Sequence, residues 1–343
     1  MMHRRAIAIL GAILITSGLI QGVRKEGAWN KAELLFIKRI QVMKTSGSIN
    51  QVIVTSRGQL LVRDFNVEKL DAQVIELYSG EGRLIRKIGG YGKGPGKYHR
   101  LIDMQFSSDE LVWVPDITRR INLFKISNGF LKSILLAEPV FPNGMQLDEN
   151  NCFFYIGGRL AMPGQQPKLL HRYDLSGRYV TSFVTADQEI ERKRIQGLDF
   201  TLLGKGPNGK LLIAQAPVHK IHIFNPADSH DVLIHLKSKK IKPVLELTEK
   251  QTAKDIDRLF RDSYLIDSIH SVAGYIIVSI RTPVAGKFLV EVLREDGVEI
   301  LSDCETPGRL VGLDQGDDLI FYAKEKNGHF LIKSRLTRKM GTQ

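Results

Sequence analysis

Cysteine is nearly absent: Cys152 and Cys304 are the only two among 343 residues, and no CxxC occurs. That rules out a disulfide-built scaffold, a zinc ribbon and a paired redox dithiol. A chain of this length buries enough surface to hold its core without cross-links, so two separate thiols are expected. GxSxG and HExxH are missing as well. With them go the strand-to-helix nucleophile elbow and the two-histidine zinc helix. No apolar run reaches the roughly 20 residues that a membrane-crossing helix needs. Negative charge is the scarcer sign, with 37 acidic against 49 basic residues and a net charge of +12. Such a balance suits acidic surfaces or polyanions. No basic block is studded with aromatics, however, as single-stranded nucleic-acid binders require. A solvated basic surface is therefore expected, and no nucleic-acid partner. Hydrophobic residues at 43% and charged residues at 25% argue for a globular chain rather than a disordered one.

The N-terminus carries a targeting signal. "MMHRR" is a positive n-region, and residues 6–20, "AIAILGAILITSGLI", form an apolar h-region. That length fits a secretory signal and is short for a span. Small residues at Thr16 and Gly18, and again Gly22, offer places to cut. Residues 1–22 are read as a signal peptide or, if uncut, an N-terminal anchor. No Cys follows the run, which argues against a lipoprotein anchor. The expected location is periplasmic or extracellular, with an inner-membrane anchor if the segment stays, and any membrane contact runs through that segment alone.

From residue 33 onward the text reads as strand, turn, strand. β-branched and apolar residues alternate between Gly, Asn and Asp clusters, the mark of short antiparallel strands. The form recurs in units that begin near Ile49, Leu101, Asn143, Leu198, Ser268 and Arg309. Four strands per unit at this period predict an all-β, six-bladed β-propeller of four-stranded antiparallel blades over residues 33–340. The last unit, 309–337, has only three strands, and residues 33–43 are an orphan strand at the other end. Pairing them closes the ring without an open seam. One helix is expected, at 248–262, inserted between blades four and five. Thr248 and Gln251 make a capping box, and Ile256, Leu259 and Phe260 share a face.

Residues 89–98, "GGYGKGPGKY", could cradle a phosphate or could turn the chain. A phosphate loop opens directly into a helix whose N–H groups point at the anion. Here another strand follows, "HRLIDMQF", and there is no Lys-Ser/Thr pair. Gly-Pro-Gly is turn chemistry, so the stretch is read as a tight crossover from an outer strand back to the channel.

That stretch and its sequel resemble an NHL-type repeat. Gly92, Gly94, Pro95, Gly96 and Tyr98 carry the lead, Val112, Val114 and Asp116 the second strand, and Arg120, Ile121 and Phe124 the third. Elsewhere the match thins. Gly209, Ile213, Ile221 and Phe224 keep the pattern, but Gln215 stands where the Asp would be. The resemblance implies a secreted bacterial six-bladed propeller along nearly the whole mature chain, and by itself no function.

Propellers bind at the mouth of the central channel, where the first strand of each blade and its leading loop converge. Those positions here include Asn50, Asp103, Asn143, Asp199, His270 and Arg309. A non-catalytic scaffold with no cofactor, probing a protein, peptide or glycan partner as a monomer, is the leading expectation. The alternative is a metal-dependent hydrolase. "PNGMQLDENNCFFYIGG" resembles a blade of gluconolactonase-like propellers, a resemblance that makes Asn143 a ligand of Ca²⁺ or another divalent cation, with Asp199 beside it. The family's Glu has no counterpart in "SINQVIV", and its Asp-Gly reads Gln196-Gly197. NHL-like lyases, which use histidines around a channel metal, are a further comparison. His219 and His222 lie three apart on a strand and face opposite ways, and only His270 lies on a first strand.

Overall fold

The computed structural model describes residues 32–42, 48–65, 73–138, 140–161, 164–192, 200–238, 240, 258 and 261–338. Strand β1 (Ala32–Val42) precedes the first blade, which comprises β2 (Ser48–Val54), β3 (Leu60–Phe65), β4 (Ile75–Tyr78) and β5 (Leu84–Ile88). Blade two is β6 (Gln105–Phe106), β7 (Leu111–Asp116), β8 (Arg120–Lys125) and β9 (Gly129–Leu135). Blade three is β10 (Gly144–Asp148), β11 (Phe153–Leu160), β12 (Lys168–Asp174) and β13 (Tyr179–Thr185). A short helix α1 (Gln188–Arg192) leads to blade four, made of β14 (Thr201–Lys205), β15 (Leu211–Gln215), β16 (Lys220–Asn225) and β17 (His230–His235). Blade five is β18 (Leu265–Val272), β19 (Tyr275–Arg281), β20 (Phe288–Leu293) and β21 (Glu299–Glu305). The last blade takes β22 (Arg309–Leu313), β23 (Leu319–Glu325) and β24 (Gly328–Arg338), with β1 as its outermost strand. These are six four-stranded antiparallel sheets, the propeller that the repeat predicts.

Strand chemistry explains the arrangement. In each blade the second strand is buried on both faces, so it is apolar without alternation. On β7, Val112 and Val114 pack toward blade one while Trp113 packs toward blade three. On β15, Leu212 and Ala214 face blade five, and Leu211 and Ile213 face blade three. The core is accordingly six apolar clusters, one at each blade-to-blade contact. Outer strands such as β9 and β17 are mostly exposed.

The ring closes through β1 and β24. They pair antiparallel from Ala32↔Arg338 to Val42↔His329, with a bulge between Phe36 and Lys38. Around the channel the inner strands crowd. A Cβ on Gly312 of β22 would sit 2.0 Å from the Val52 carbonyl oxygen of β2. Only glycine allows blades six and one to meet there.

The crossover reading of residues 89–98 holds as well. Lys97 N–H donates to Gly94 O across the Gly-Pro-Gly turn at 3.2 Å. Gly96 takes φ +71° against the Phe130 ring, where a Cβ would meet Phe130 Cβ at 2.9 Å. Tyr98 is fully buried between blades one and two, its hydroxyl donating to Ile88 O. The crossover is then pinned by Asp116, which accepts the N–H groups of His99 and Arg100 at 3.2 and 2.9 Å. Gln215, standing where the repeat has Asp, does the same work two blades later by accepting Asp187 N–H at 2.7 Å.

One expectation needs adjustment. The inner strand of blade two is two residues long, beginning at Gln105 rather than Leu101, because Asp103 diverts the backbone N–H of Met104. Helix α1 was not anticipated; its first turn is set by Asp187, whose carboxylate accepts Glu189 N–H at 2.7 Å. The expected helix at 248–262 lies outside the described residues, except for Arg258, Arg261 and Asp262, which are helical. Residues 1–22 also lie outside them. Both thiols are free, Cys152 in a turn of blade three and Cys304 on β21. Among the described residues no helix is long and apolar enough to cross a membrane.

Two measurements test this packing. Gly312→Ala should cost about 3 kcal/mol in urea unfolding through overpacking, whereas Gly316→Ala, whose Cβ meets nothing closer than 3.5 Å, should be near neutral. The second concerns Glu291, fully buried on β20. Burial pushes its carboxyl up to about 7 from 4.5, and the nearby charges of Asp303 and Glu299 add to the shift. A carboxyl raised on folding contributes stability that is complete below its ordinary value and is lost as pH rises through 7. Glu291→Gln should therefore melt like the parent at pH 5 and higher at pH 8, by about 2 kcal/mol of stability.

Candidate functional site

Arg309 opens β22 at the channel mouth and organises it. Its Nε and Nη2 donate to the two oxygens of Asp267 at 2.7 and 2.8 Å, a bidentate pair, while Nη1 donates to Asn50 Oδ1 at 2.6 Å. One planar guanidinium thus ties blades five, six and one, which lysine could not do. On the other side Asp103 stitches blade two to blade three: Oδ1 accepts Met104 N–H and Oδ2 accepts Met145 N–H, each at 2.7 Å. Arg63 on β3 bridges blades one and two, donating from Nη1 to Ile102 O at 2.6 Å. Gln51 adds a second bridge, from Nε2 to Met104 O at 2.8 Å.

Crowding shapes the charges. Burial lowers Arg63 to about 10, opposed by Asp103 and assisted by Arg309. Arg281, at the end of β19, is lowered by burial as well, with Asp267 opposing and Arg309 assisting. Burial pushes His270 down to about 4 against the pull of Asp267. At neutral pH the mouth therefore holds charged arginines, two engaged carboxylates and a neutral imidazole. His270 and Arg63 nevertheless keep some contact with solvent. That combination is expected of groups lining a narrow channel.

Three buried atoms here make no hydrogen bond to the described residues: Gln51 Oε1, Arg63 Nε and His270 Nε2. They give the mouth one acceptor, one cationic donor and a ring nitrogen that takes either role according to its tautomer.

Of the six positions read from the sequence, Asn50 and Arg309 touch, Asp103 lies in the field of Arg63, and His270 in that of Asp267. Asn143 stands apart, its N–H donating to Gly157 O at 2.7 Å. Asp199 lies outside the described residues. A hard divalent cation wants several oxygen ligands, usually with a carboxylate. Asp103 lies beside Gly144, and N–H groups occupy both of its oxygens. No group of three or more His, Cys, Asp or Glu able to hold a metal occurs among the described residues.

Reading the sequence missed Arg63, Asp267 and Arg281. Only Arg281 carried a signal of its own: "YIIVSIR" ends a doubly buried strand on an arginine. A cation at that place must leave the sheet toward water or a partner.

No family model matches the chain, and no curated protein matches it. Solved structures do share the fold. A DUF4221 family member from Bacteroides vulgatus superposes with a TM-score of 0.64 at 11% identity, over 91% of this chain and 100% of its own. A putative exported protein from Bacteroides fragilis gives 0.61 at 12%, over 89% and 95%. A virginiamycin B lyase from Staphylococcus aureus gives 0.50 at 13%, over 88% and 99%. At such identities the likeness speaks for the propeller alone.

The mouth's ion pair is expected to be cooperative. Arg309→Met should destabilise by about 2 kcal/mol, since it strips Asp267 of its bidentate partner in a partly buried site. Asp267→Asn combined with Arg309→Met should recover about 1 kcal/mol of the summed loss, read from urea unfolding as a double-mutant cycle.

Proposed function

We propose that the protein is an exported, non-catalytic propeller of the NHL-like type that binds a protein, peptide or glycan partner at the mouth of its channel. The observation that carries this reading is the set of unpaired atoms at the mouth. Arg63 Nε, Gln51 Oε1 and His270 Nε2 sit in a rim whose carboxylates are already engaged. A fixed mixture of donor and acceptor groups suits the hydroxyls of a sugar or the carbonyls of a peptide, each of which offers both roles. Holding those groups on strands rather than on loops keeps the cost of ordering low on binding. Support for export comes from the positive and apolar N-terminal segment and from the neighbour described as a putative exported protein.

Glycan and peptide arrays probed with the chain from Val23 onward test the reading. A specific ligand is expected, and its affinity by titration calorimetry should fall about tenfold in His270→Phe or Gln51→Leu, as for one lost hydrogen bond to a buried site. Absence of any specific ligand, or ligands indifferent to both variants, would sink it. A ligand that binds only with added Ca²⁺ and is lost in Asn143→Ala would turn the reading to the hydrolase.

A further inference from the structure

A second site lies away from the channel, and it is built of positive charge. The crossover of residues 92–99 and the turn between β7 and β8 enclose a cavity of about 470 Å³. Lys93, Lys97, Arg119 and Arg120 line it, together with His99 and Asp116. None of the four cations forms an ion pair or side-chain hydrogen bond with a described residue. The one carboxylate of the cavity is turned inward. Asp116 is 1% exposed, and its oxygens accept the N–H groups of His99 and Arg100 and the hydroxyl of Thr118. Asp116 therefore serves mainly the backbone, with its Oδ2 also 3.9 Å from the His99 ring, and forms no ion pair with the lysines.

Like charges gathered without counter-charges repel, at a cost that rises as solvent is excluded. On an ordinary surface such cations disperse or pair. Here backbone geometry gathers them. Arg119 sits at φ +63°, a left-handed position at which glycine or asparagine would be less strained. Arg119 and Arg120, which close the β7–β8 turn, both line the cavity. Opposite, Gly92 and Gly94 leave the floor open: a Cβ at Gly94 would meet nothing within 4 Å, and one at Gly92 only the stem of Lys97. A strained cationic turn facing a bare glycine loop is a cradle for an oxyanion. It differs from a phosphate loop because side chains, and not the N-terminus of a helix, supply the charge.

We propose that this cavity binds an oxyanion group, a phosphate or sulfate carried on a larger ligand, through Lys93, Lys97, Arg119 and Arg120. Arginine supplies two parallel donors to adjacent oxygens, and the lysines act as point charges on the remaining ones. The site is independent of the channel mouth and goes beyond the function proposed above.

The test is titration calorimetry of the mature chain at low salt with inorganic phosphate, pyrophosphate and a sulfated disaccharide. Co-sedimentation with phosphatidic acid vesicles runs alongside to separate a lipid headgroup from a soluble ester. Saturable one-to-one binding of at least one probe is expected, weakening steeply as salt is raised. Lys97→Gln with Arg119→Gln should weaken it about tenfold or more, whereas Lys237→Gln with Lys324→Gln, on blades four and six, should leave it unchanged. If the first pair fails to fold, Lys93→Gln with Arg120→Gln, which alters only exposed side chains, takes its place. Vesicle binding lost in the same variants, without binding of the free probes, would assign the oxyanion to a lipid. No saturable binding of any probe, or equal losses in the two pairs of variants, would overturn the proposal. Because His270 and Gln51 are untouched, the result is distinguishable from failure at the channel mouth.

Discussion

The ladder between β1 and β24 is the interaction on which the rest of the molecule depends. It joins residues 32–42 to residues 329–338, nearly the whole length of the chain apart. Each blade buries its faces only against its two neighbours, so an open ring would leave two apolar faces and two sheet edges in water. The entropic cost of joining such distant segments grows only with the logarithm of the loop. The ladder itself, with Ala32 buried against blade five and Val42 against blade one, acts against that cost. Closure therefore makes six weakly independent sheets into one structure.

Closure also creates the channel and its chemistry. Six inner strands must converge, and where they do, side chains replace the hydrogen bonds that sheets supply elsewhere. Arg309 links three blades, Asp103 two, and Arg63 two more. The same groups that hold the mouth together thus leave a residue of unpaired donors and acceptors within it. Under the function proposed here, stability and recognition would share those side chains. The cavity at residues 92–120 follows a different logic, because its cations take no part in holding the blades.

Much of this was legible in one dimension. Periodicity of apolar runs and turn residues gave the number of blades, and the three-stranded last unit called for the strand at the N-terminus. The glycine stretch was recognisable as a crossover because a strand, not a helix, follows it. Asn50 and Arg309 lie in the opening residues of two inner strands, and the structure brings them into hydrogen bond. Asp267 could not be paired with Arg309, since the 42 residues between them say nothing about which blades abut. Arg63 read as an ordinary charge within a strand; its role depends on the backbone of residues 101–102, to which it donates.

What the sequence by itself determined is the local part: strand, turn and repeat, set by alternation, glycine and proline acting over a few residues. Only the tertiary structure decided which charges meet. Ion pairs and cavities form between segments from different blades, and their distances depend on the twist, tilt and closure of the whole ring. Asp116 shows the division. Its place at the end of a repeat's second strand was readable from the pattern. That it turns inward to the backbone, leaving four cations around an open cavity, is a consequence of how the crossover folds over the β7–β8 turn.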